Sequence, residues 1–193
     1  MFMESHRRLC IIRLNSCVST NMIGMHILLN VSSNTRSIYL LLISKNQSHS
    51  YGKSKKRWIS YHGSLSISIS LSNINKNNTT FINILSNLAI MGALSRYNGE
   101  LMIRWPNDVV TYSEKKISGI LLETKISNRL ISILIGMGIN LKNTFNPFCF
   151  FINKFIGILT TYEVNIRKII IKIFFFKFYY NLLRTRDVLF INN

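Results

Sequence analysis

Residues 64 to 72 read Ser-Leu-Ser-Ile-Ser-Ile-Ser-Leu-Ser, and no other stretch restricts the fold so tightly. Successive side chains of a β-strand point to opposite faces, so Leu65, Ile67, Ile69 and Leu71 share one face, and Ser64, Ser66, Ser68, Ser70 and Ser72 share the other. A helix would scatter both sets around its axis. The pattern predicts a strand with its apolar face inward and its serine face toward water.

The flanking segments supply the partners that such a strand needs. Phe81, Ile84, Leu85, Leu88 and Met91 recur at helical spacing after Asn78, Thr79 and Thr80, which are natural caps, and Gly99 offers a stop. Leu101 to Arg104, Ile117 to Glu123 and Leu130 to Gly138 read as strands, the last two joined by a polar turn at Ser127, Asn128 and Arg129. Earlier, Leu9 to Leu14 and Ser37 to Ser44 read as strands, with a short helix at Asn21 to Asn30 between them. Val164 to Leu183 mixes Ile, Phe, Tyr and Lys and suits a helix packed on the sheet, with a strand as the alternative. The expected fold class is α/β (α+β), a mixed or antiparallel sheet with packed helices, with hairpins at its centre and not βαβ repeats.

A chain of 193 residues is an ordinary size for one domain with a real core. Its 48% hydrophobic and 16% charged residues exclude a disordered chain and fit a soluble one. Lys and Arg number 24 against 7 Asp and Glu, a formal +17 that suits nucleic acid or an acidic partner. The same excess, with abundant Lys, Asn, Ile and Phe and only 2 Pro, also follows from AT-rich codon usage. Nucleic-acid binding is the weaker reading, because the aromatics gather at Phe148 to Phe151 and Phe174 to Tyr180, away from the basic loop, whereas stacking platforms interleave the two. Cys10, Cys17 and Cys149 form neither an even disulfide set nor a close metal-ligand pair, which fits a reducing, cytoplasmic setting. Asn15, Ser16 and Ser19 interrupt any secretory signal, and Lys172 and Lys177 break the late apolar stretch too soon for a membrane span.

Four segments carry chemistry. Arg104-Trp105-Pro106-Asn107-Asp108, followed by Lys116-Ile117-Ser118-Gly119-Ile120-Leu121-Leu122-Glu123, leads from strand through a rigid turn into strand, a geometry that aims polar groups at one point. Taken alone, Lys116 reads as a solvated surface lysine. Gly136-Met137-Gly138-Ile139-Asn140-Leu141 puts two glycines in a strand, which signals close backbone approach. Lys45 to Trp58 holds five cationic side chains, a single Gly52 and no apolar period: a basic loop. Ser19-Thr20-Asn21, taken alone, is a helix N-cap.

In this order the four segments resemble the signature of the biotin protein ligase family, in which a Lys/Arg-Trp-Pro-Asn-Asp turn precedes a Lys-x-x-Gly-Ile-Leu-x-Glu strand and then a Gly-x-Gly-Ile-Asn strand end. Every defining position of the first two blocks is matched. The basic loop resembles the family's Gln-x-x-Gly-Arg-Gly-Arg-x-x-Arg-x-Trp segment through Gln47, Gly52, Lys56 or Arg57, and Trp58, and Ser60, Gly63 and Leu65 continue the likeness. Ser19-Thr20-Asn21 matches the family's Ser-Thr-Asn triplet. The loop also departs: Ser50 replaces the first glycine, Tyr51 the first arginine and Lys53 the second, so an arginine fork gives way to a point charge.

The resemblance covers roughly residues 9 to 142. It implies a biotin/lipoate ligase catalytic domain, akin to class II aminoacyl-tRNA synthetase cores, over residues 1–185 with a short tail at 186–193. It further implies a monofunctional type without an N-terminal winged helix, its C-terminal β domain absent or rudimentary. The implied reaction is ATP-dependent ligation of biotin to a lysine of a biotin carboxyl carrier domain of acetyl-CoA carboxylase through biotinyl-5'-AMP, with Mg²⁺ accompanying ATP and neither DNA nor membrane as partner. Lys116 is the implied catalytic residue. Ser19, Thr20, Asn21, Gln47, Tyr51, Gly52, Lys53, Trp58, Asn107, Asp108 and Gly119 are implied to bind biotin or the adenylate, with no residue assigned to a metal. Gly52 is implied to let the loop backbone approach the intermediate, in a loop that stays mobile until ligand arrives. Two alternatives stand beside this: a folded remnant that no longer turns over, consistent with the altered loop, and a lipoyl ligase, whose Arg-rich Gly-Gly-Gly loop is missing.

Overall fold

The computed structural model describes residues 8–30, 38–60, 64–75, 79–95, 100–127 and 130–140. The helix expected at Val164 to Leu183, the turn at Asn128 and Arg129, the caps Asn78 and Gly99, Gly63, and Cys149 lie outside those residues. The elements run β1 (Arg8–Cys17), α1 (Thr20–Asn30), β2 (Ile38–Gln47), β3 (Leu65–Asn75), α2 (Thr79–Leu94), β4 (Leu101–Arg104), β5 (Asp108–Thr111), β6 (Lys116–Ser127) and β7 (Leu130–Ile139). A single turn of 3₁₀-helix spans Lys53–Lys55.

All seven strands form one sheet in the order β1-β2-β3-β7-β6-β5-β4. β1 and β2 are parallel, joined through α1, and every other neighbouring pair is antiparallel. The centre is therefore built of hairpins, as the polar turns suggested, and β1-α1-β2 is one parallel crossover at its side. β2 extends to Gln47, so Lys45 to Gln47 belong to a strand and the basic loop begins after them. β5 is an additional short strand that opens at Asp108.

The two helices cover opposite faces of the sheet. On one face Ile82, Leu85, Ala89 and Ile90 of α2 pack with Leu65, Ile67, Ile69 and Leu71 of β3 and with Ile131, Ile133, Ile135 and Met137 of β7. Ile67, Ile82, Ile90 and Ile133 are fully buried; truncating any of them to alanine removes about 2–5 kcal/mol, as core cavities generally do. On the other face lies α1, so close that a Cβ on Gly24 would meet Leu134 and Leu42 side-chain carbons at 2.8 and 3.1 Å.

That arrangement corrects the expectation for the serine face of β3. Ser64, Ser66, Ser68 and Ser70 are buried, not solvated. The strand sits third in a seven-stranded sheet, and α1 covers its second face. Three of the hydroxyls, those of Ser66, Ser68 and Ser70, find partners: Ser70 Oγ accepts from the Leu40 backbone N–H at 2.9 Å, while Ser64 Oγ is buried without one among the described residues. The three that are hydrogen-bonded are tolerated for that reason.

Candidate active site

The turn after β4 is built by reciprocal backbone anchoring. Asn83 and Asn87 of α2 both donate to the Pro106 carbonyl, at 2.9 and 3.2 Å, and the Trp105–Pro106 peptide is cis. Asn107 is clamped to β6 twice, its side chain donating to the Ile120 carbonyl at 3.0 Å and its own carbonyl accepting from Ile120 N–H at 2.8 Å. This fixes the next residue, Asp108. One Asp108 oxygen lies 2.6 Å from Lys116 Nζ and the other accepts from Arg104 Nη2 at 3.0 Å. Two cations from neighbouring strands thus share one carboxylate. Lys116 Nζ also stands 5.3 Å from the centre of the Trp58 ring, a cation–π distance.

The glycines of β6 and β7 make the room for these side chains. A Cβ on Gly138 would collide with the Trp58 ring, and one on Gly136 with the Asn21 amide. A Cβ on Gly119 would lie 3.0 Å from Lys116 Cε, Lys116 Nζ and Trp58 Cζ3. The close approach that two glycines in a strand signalled is thus an approach of side chains to bare backbone. Trp58 Nε1 is buried and has no hydrogen-bond partner among the described residues.

At the start of α1, Ser19 accepts from the Met22 N–H at 3.4 Å, so the capping reading of the triplet holds together with its place at the cavity. Gln47 Oε1 accepts from Thr20 N–H at 2.7 Å and from Thr20 Oγ1 at 3.1 Å, and Gln47 Nε2 donates to Ser66 Oγ at 2.8 Å. Ser68 Oγ donates to Asn21 Oδ1 at 2.6 Å and stands 2.7 Å from Thr20 Oγ1. Asn21 Nδ2 donates in turn to Glu123 at 2.6 Å. The floor is a fully engaged lattice of amides and hydroxyls.

The basic loop closes back on itself over this floor. Tyr51 bridges Arg57, Gly52 N–H donates to the Lys56 carbonyl at 2.7 Å, and Ser50 and Trp58 exchange two bonds, Trp58 N–H to Ser50 O at 2.9 Å and Ser50 Oγ to Trp58 O at 3.0 Å. Ser50, which stands where a glycine was expected, is buried and ties the loop's two ends. At the tip Ser54 and Lys55 have φ of 57° and 58°, a conformation costly for non-glycine residues. Tyr51 donates its hydroxyl to Glu123 at 2.8 Å. Burial pushes the Tyr51 phenol up to about 12, and the bond to Glu123 and that carboxylate's charge push the same way.

Every residue expected at the site lines one cavity of about 400 Å³: Ser19, Thr20 and Asn21 from α1, Gln47 from β2, Tyr51, Gly52, Lys53 and Trp58 from the loop, and Asn107, Asp108, Lys116 and Gly119 from the turn and β6. Lys56, Arg57, Gly136 and Gly138 line it as well. An adjoining cavity shares Lys53, Asn107, Ile120 and Leu121 and is walled by Trp105, which is 62% exposed. Residue patterns had not marked Ser66 and Ser68 as part of the site, since alternation alone placed them in water. In the sequence Glu123 stands only as the end of a motif. Among the described residues no cluster of three or more His, Cys, Asp or Glu exists that would hold a metal ion, and no helix is long and apolar enough to cross a membrane.

Comparison with known proteins adds an independent line. A model of the Biotin/lipoate A/B protein ligase family matches residues 19–140. Human biotin--protein ligase is 30% identical over 116 residues, covering 56% of this chain and 16% of the human protein. The biotin--protein ligase of Schizosaccharomyces pombe is 25% identical over 122 residues, covering 53% of this chain and 19% of that protein. The chain therefore matches less than a fifth of the length of either relative. In fold, it is similar to a biotin protein ligase from Aquifex aeolicus solved in complex with biotin and ATP, with a TM-score of 0.68 at 24% identity over 91% of this chain and 71% of that one.

Proposed function

Because this chain belongs to the biotin/lipoate A/B protein ligase family, we propose that it activates biotin with ATP and passes it to a lysine of a biotin carboxyl carrier domain. The observation that carries this reading is the placement of Lys116, which lines the same cavity as Lys53, Lys56 and Arg57 while its Nζ is held by Asp108 and Trp58.

In the first step a biotin carboxylate oxygen attacks the α-phosphorus of ATP, the bond from that phosphorus to the bridging oxygen breaks, and pyrophosphate leaves. Two anions approach, and negative charge builds on the phosphate oxygens. Fixed cations at that point lower the barrier without reorganising. Lys116 serves both anions, since its ammonium is held in place by Asp108 until a ligand oxygen takes over that contact. Lys53, Lys56 and Arg57 attract the phosphates, while Ser19, Thr20, Asn21 and Gln47 supply the polar floor for biotin. Trp58 and Gly119 shape the wall beside Lys116, and Gly52 lets the loop backbone come close. In the second step the acceptor lysine, as a free amine, attacks the acyl carbon. The amide forms, AMP leaves with the bonding electrons, and the amine loses a proton.

Mg²⁺ enters this reading with the phosphates of ATP. The described residues do not make a site of their own for it, since both Asp108 oxygens already face cations. The acceptor named here, the carrier domain of acetyl-CoA carboxylase, and a cytoplasmic setting rest on the family resemblance and on the free Cys10 and Cys17.

One specific observation favours a second reading, a folded remnant: Tyr51 occupies an arginine position and is tied to Glu123. Biotin- and ATP-dependent labelling of a purified carrier domain separates the two, with Lys116→Ala as control. Labelling that disappears in that variant supports the ligase; no labelling by the unaltered chain supports the remnant, and labelling with lipoate in place of biotin redirects the substrate within the family.

A further inference from the structure

Glu123 does not line the cavity, yet it contacts both of its halves. One carboxylate oxygen accepts from the Asn21 side chain at 2.6 Å and the other from the Tyr51 hydroxyl at 2.8 Å. Asn21 belongs to α1 and lies over bare backbone at Gly136, with Ser68 holding its other amide atom. Tyr51 belongs to the basic loop and pairs across it with Arg57. The two contacts are separated by 102 and 72 residues in sequence from Glu123, so the carboxylate is a long-range tie that joins the loop beyond Ser50 to α1, adding to the backbone bonds that already hold Ser48 and His49 to Cys17 and Val18.

We infer that Glu123 is a positioning residue that locks the basic loop to the floor of the cavity, with the Tyr51 hydroxyl as the loop's latch, so that the loop is closed before any ligand arrives. This rests on the proposed reading of the cavity only for its consequence in catalysis. An arginine at position 51 would carry a charge free to engage phosphate; the phenol instead spends its one proton on Glu123. The loop is then ordered by the protein's own carboxylate and not by the ligand's phosphate. Ordering in advance removes an entropic cost from nucleotide binding, and it transmits any shift of Asn21 to the loop through one shared group.

Trypsin reads the latch directly, because Lys53, Lys55, Lys56 and Arg57 are all exposed cleavage points within the loop. On the intact, ligand-free chain, Tyr51→Phe is expected to raise the cleavage rate in the loop about tenfold, the typical effect of losing one hydrogen bond to a charged group. Glu123→Ala is expected to raise it at least as much. Glu123→Gln restores protection, since its amide can accept from Asn21 while donating to Tyr51. Loop cleavage in Tyr51→Phe at the unaltered rate overturns the proposal, and this variant decides alone if Glu123→Ala does not fold. In the adenylate-forming half-reaction, Tyr51→Phe raises KM for ATP by a larger factor than KM for biotin, whereas Glu123→Ala raises both; a fall in kcat with neither KM moved also overturns it. A chain that forms no adenylate at all refutes the ligase reading, while the proteolysis comparison still decides the latch.

Discussion

Lys116 Nζ and Asp108 Oδ1 lie 2.6 Å apart, and the remaining Asp108 oxygen is held by Arg104 at 3.0 Å. The lysine is therefore aimed by an acid that is itself fixed from the other side. Lys116→Ala is expected to slow adenylate formation by about a hundredfold or more, the usual effect of losing a preorganised charge partner in a transition state. Asp108→Ala, which acts through the lysine's position, is expected to have the smaller effect. Pyrophosphate release measured for the two variants side by side checks this, and the reverse ranking would make Asp108 the more direct participant.

Adding one methyl group to β7 should be felt at either glycine. A Cβ at Gly136 runs into the Asn21 amide, and one at Gly138 into the Trp58 ring. Gly136→Ala and Gly138→Ala are each expected to destabilise the fold by about 1–3 kcal/mol, as forced overpacking does, read as a shift in the denaturant midpoint. Biotin affinity should fall together with stability in both, because the displaced groups are the cavity's own walls.

The hydroxyl of Ser68 is a second sensitive point. Ser68→Ala removes the donor that Asn21 Oδ1 accepts from and leaves that oxygen buried without it, at a cost of about 1–3 kcal/mol. Chemical denaturation of Ser68→Ala measures it. An unchanged midpoint would mean that water enters to replace the lost bond.

The Tyr51 phenol gives a pH dependence of defined sign. Its value in the folded chain is about 12 against 10.0 ordinarily. Below pH 10 the phenol is neutral in both folded and unfolded chains, and its bond to Glu123 is intact. As pH rises from about 10 toward 12 the unfolded chain gives up the proton first, so stability is lost across that window. A melting series over it should show a decline that Tyr51→Phe lacks in part, and a phenolate absorbance titration should show one tyrosine fewer in the ordinary range.

Much of this was legible in the residues. The alternation at Leu65 to Leu71 predicted β3, and the spacing of Phe81 to Met91 predicted α2, because one apolar face at a fixed period leaves few other solutions. The residues that the motifs marked do converge on one cavity. What alternation could not reveal is how many faces of a strand are covered. That depends on α1 packing from a distant part of the chain, so alternation alone places the serines of β3 in water. Local polarity places Gln47 in a loop, but parallel pairing with β1 carries β2 on through Lys45 to Gln47, a long-range effect that overrides it. Glu123 shows the same gap: its partners lie far off in sequence, and only the fold brings them together.

The loop cations have a consequence that reaches beyond contact distance. Lys53, Lys56 and Arg57 stand exposed at the cavity with Lys55 exposed beside them in the same loop, and among the described residues none of the four is held in an ion pair. At physiological ionic strength a field of this kind extends about 8 Å before it is screened, so an approaching polyanion is drawn toward the cavity before it touches any one side chain. The speed of encounter then belongs to the cluster as a whole: dissolved salt would slow capture markedly, while neutralising a single member would slow it only a little.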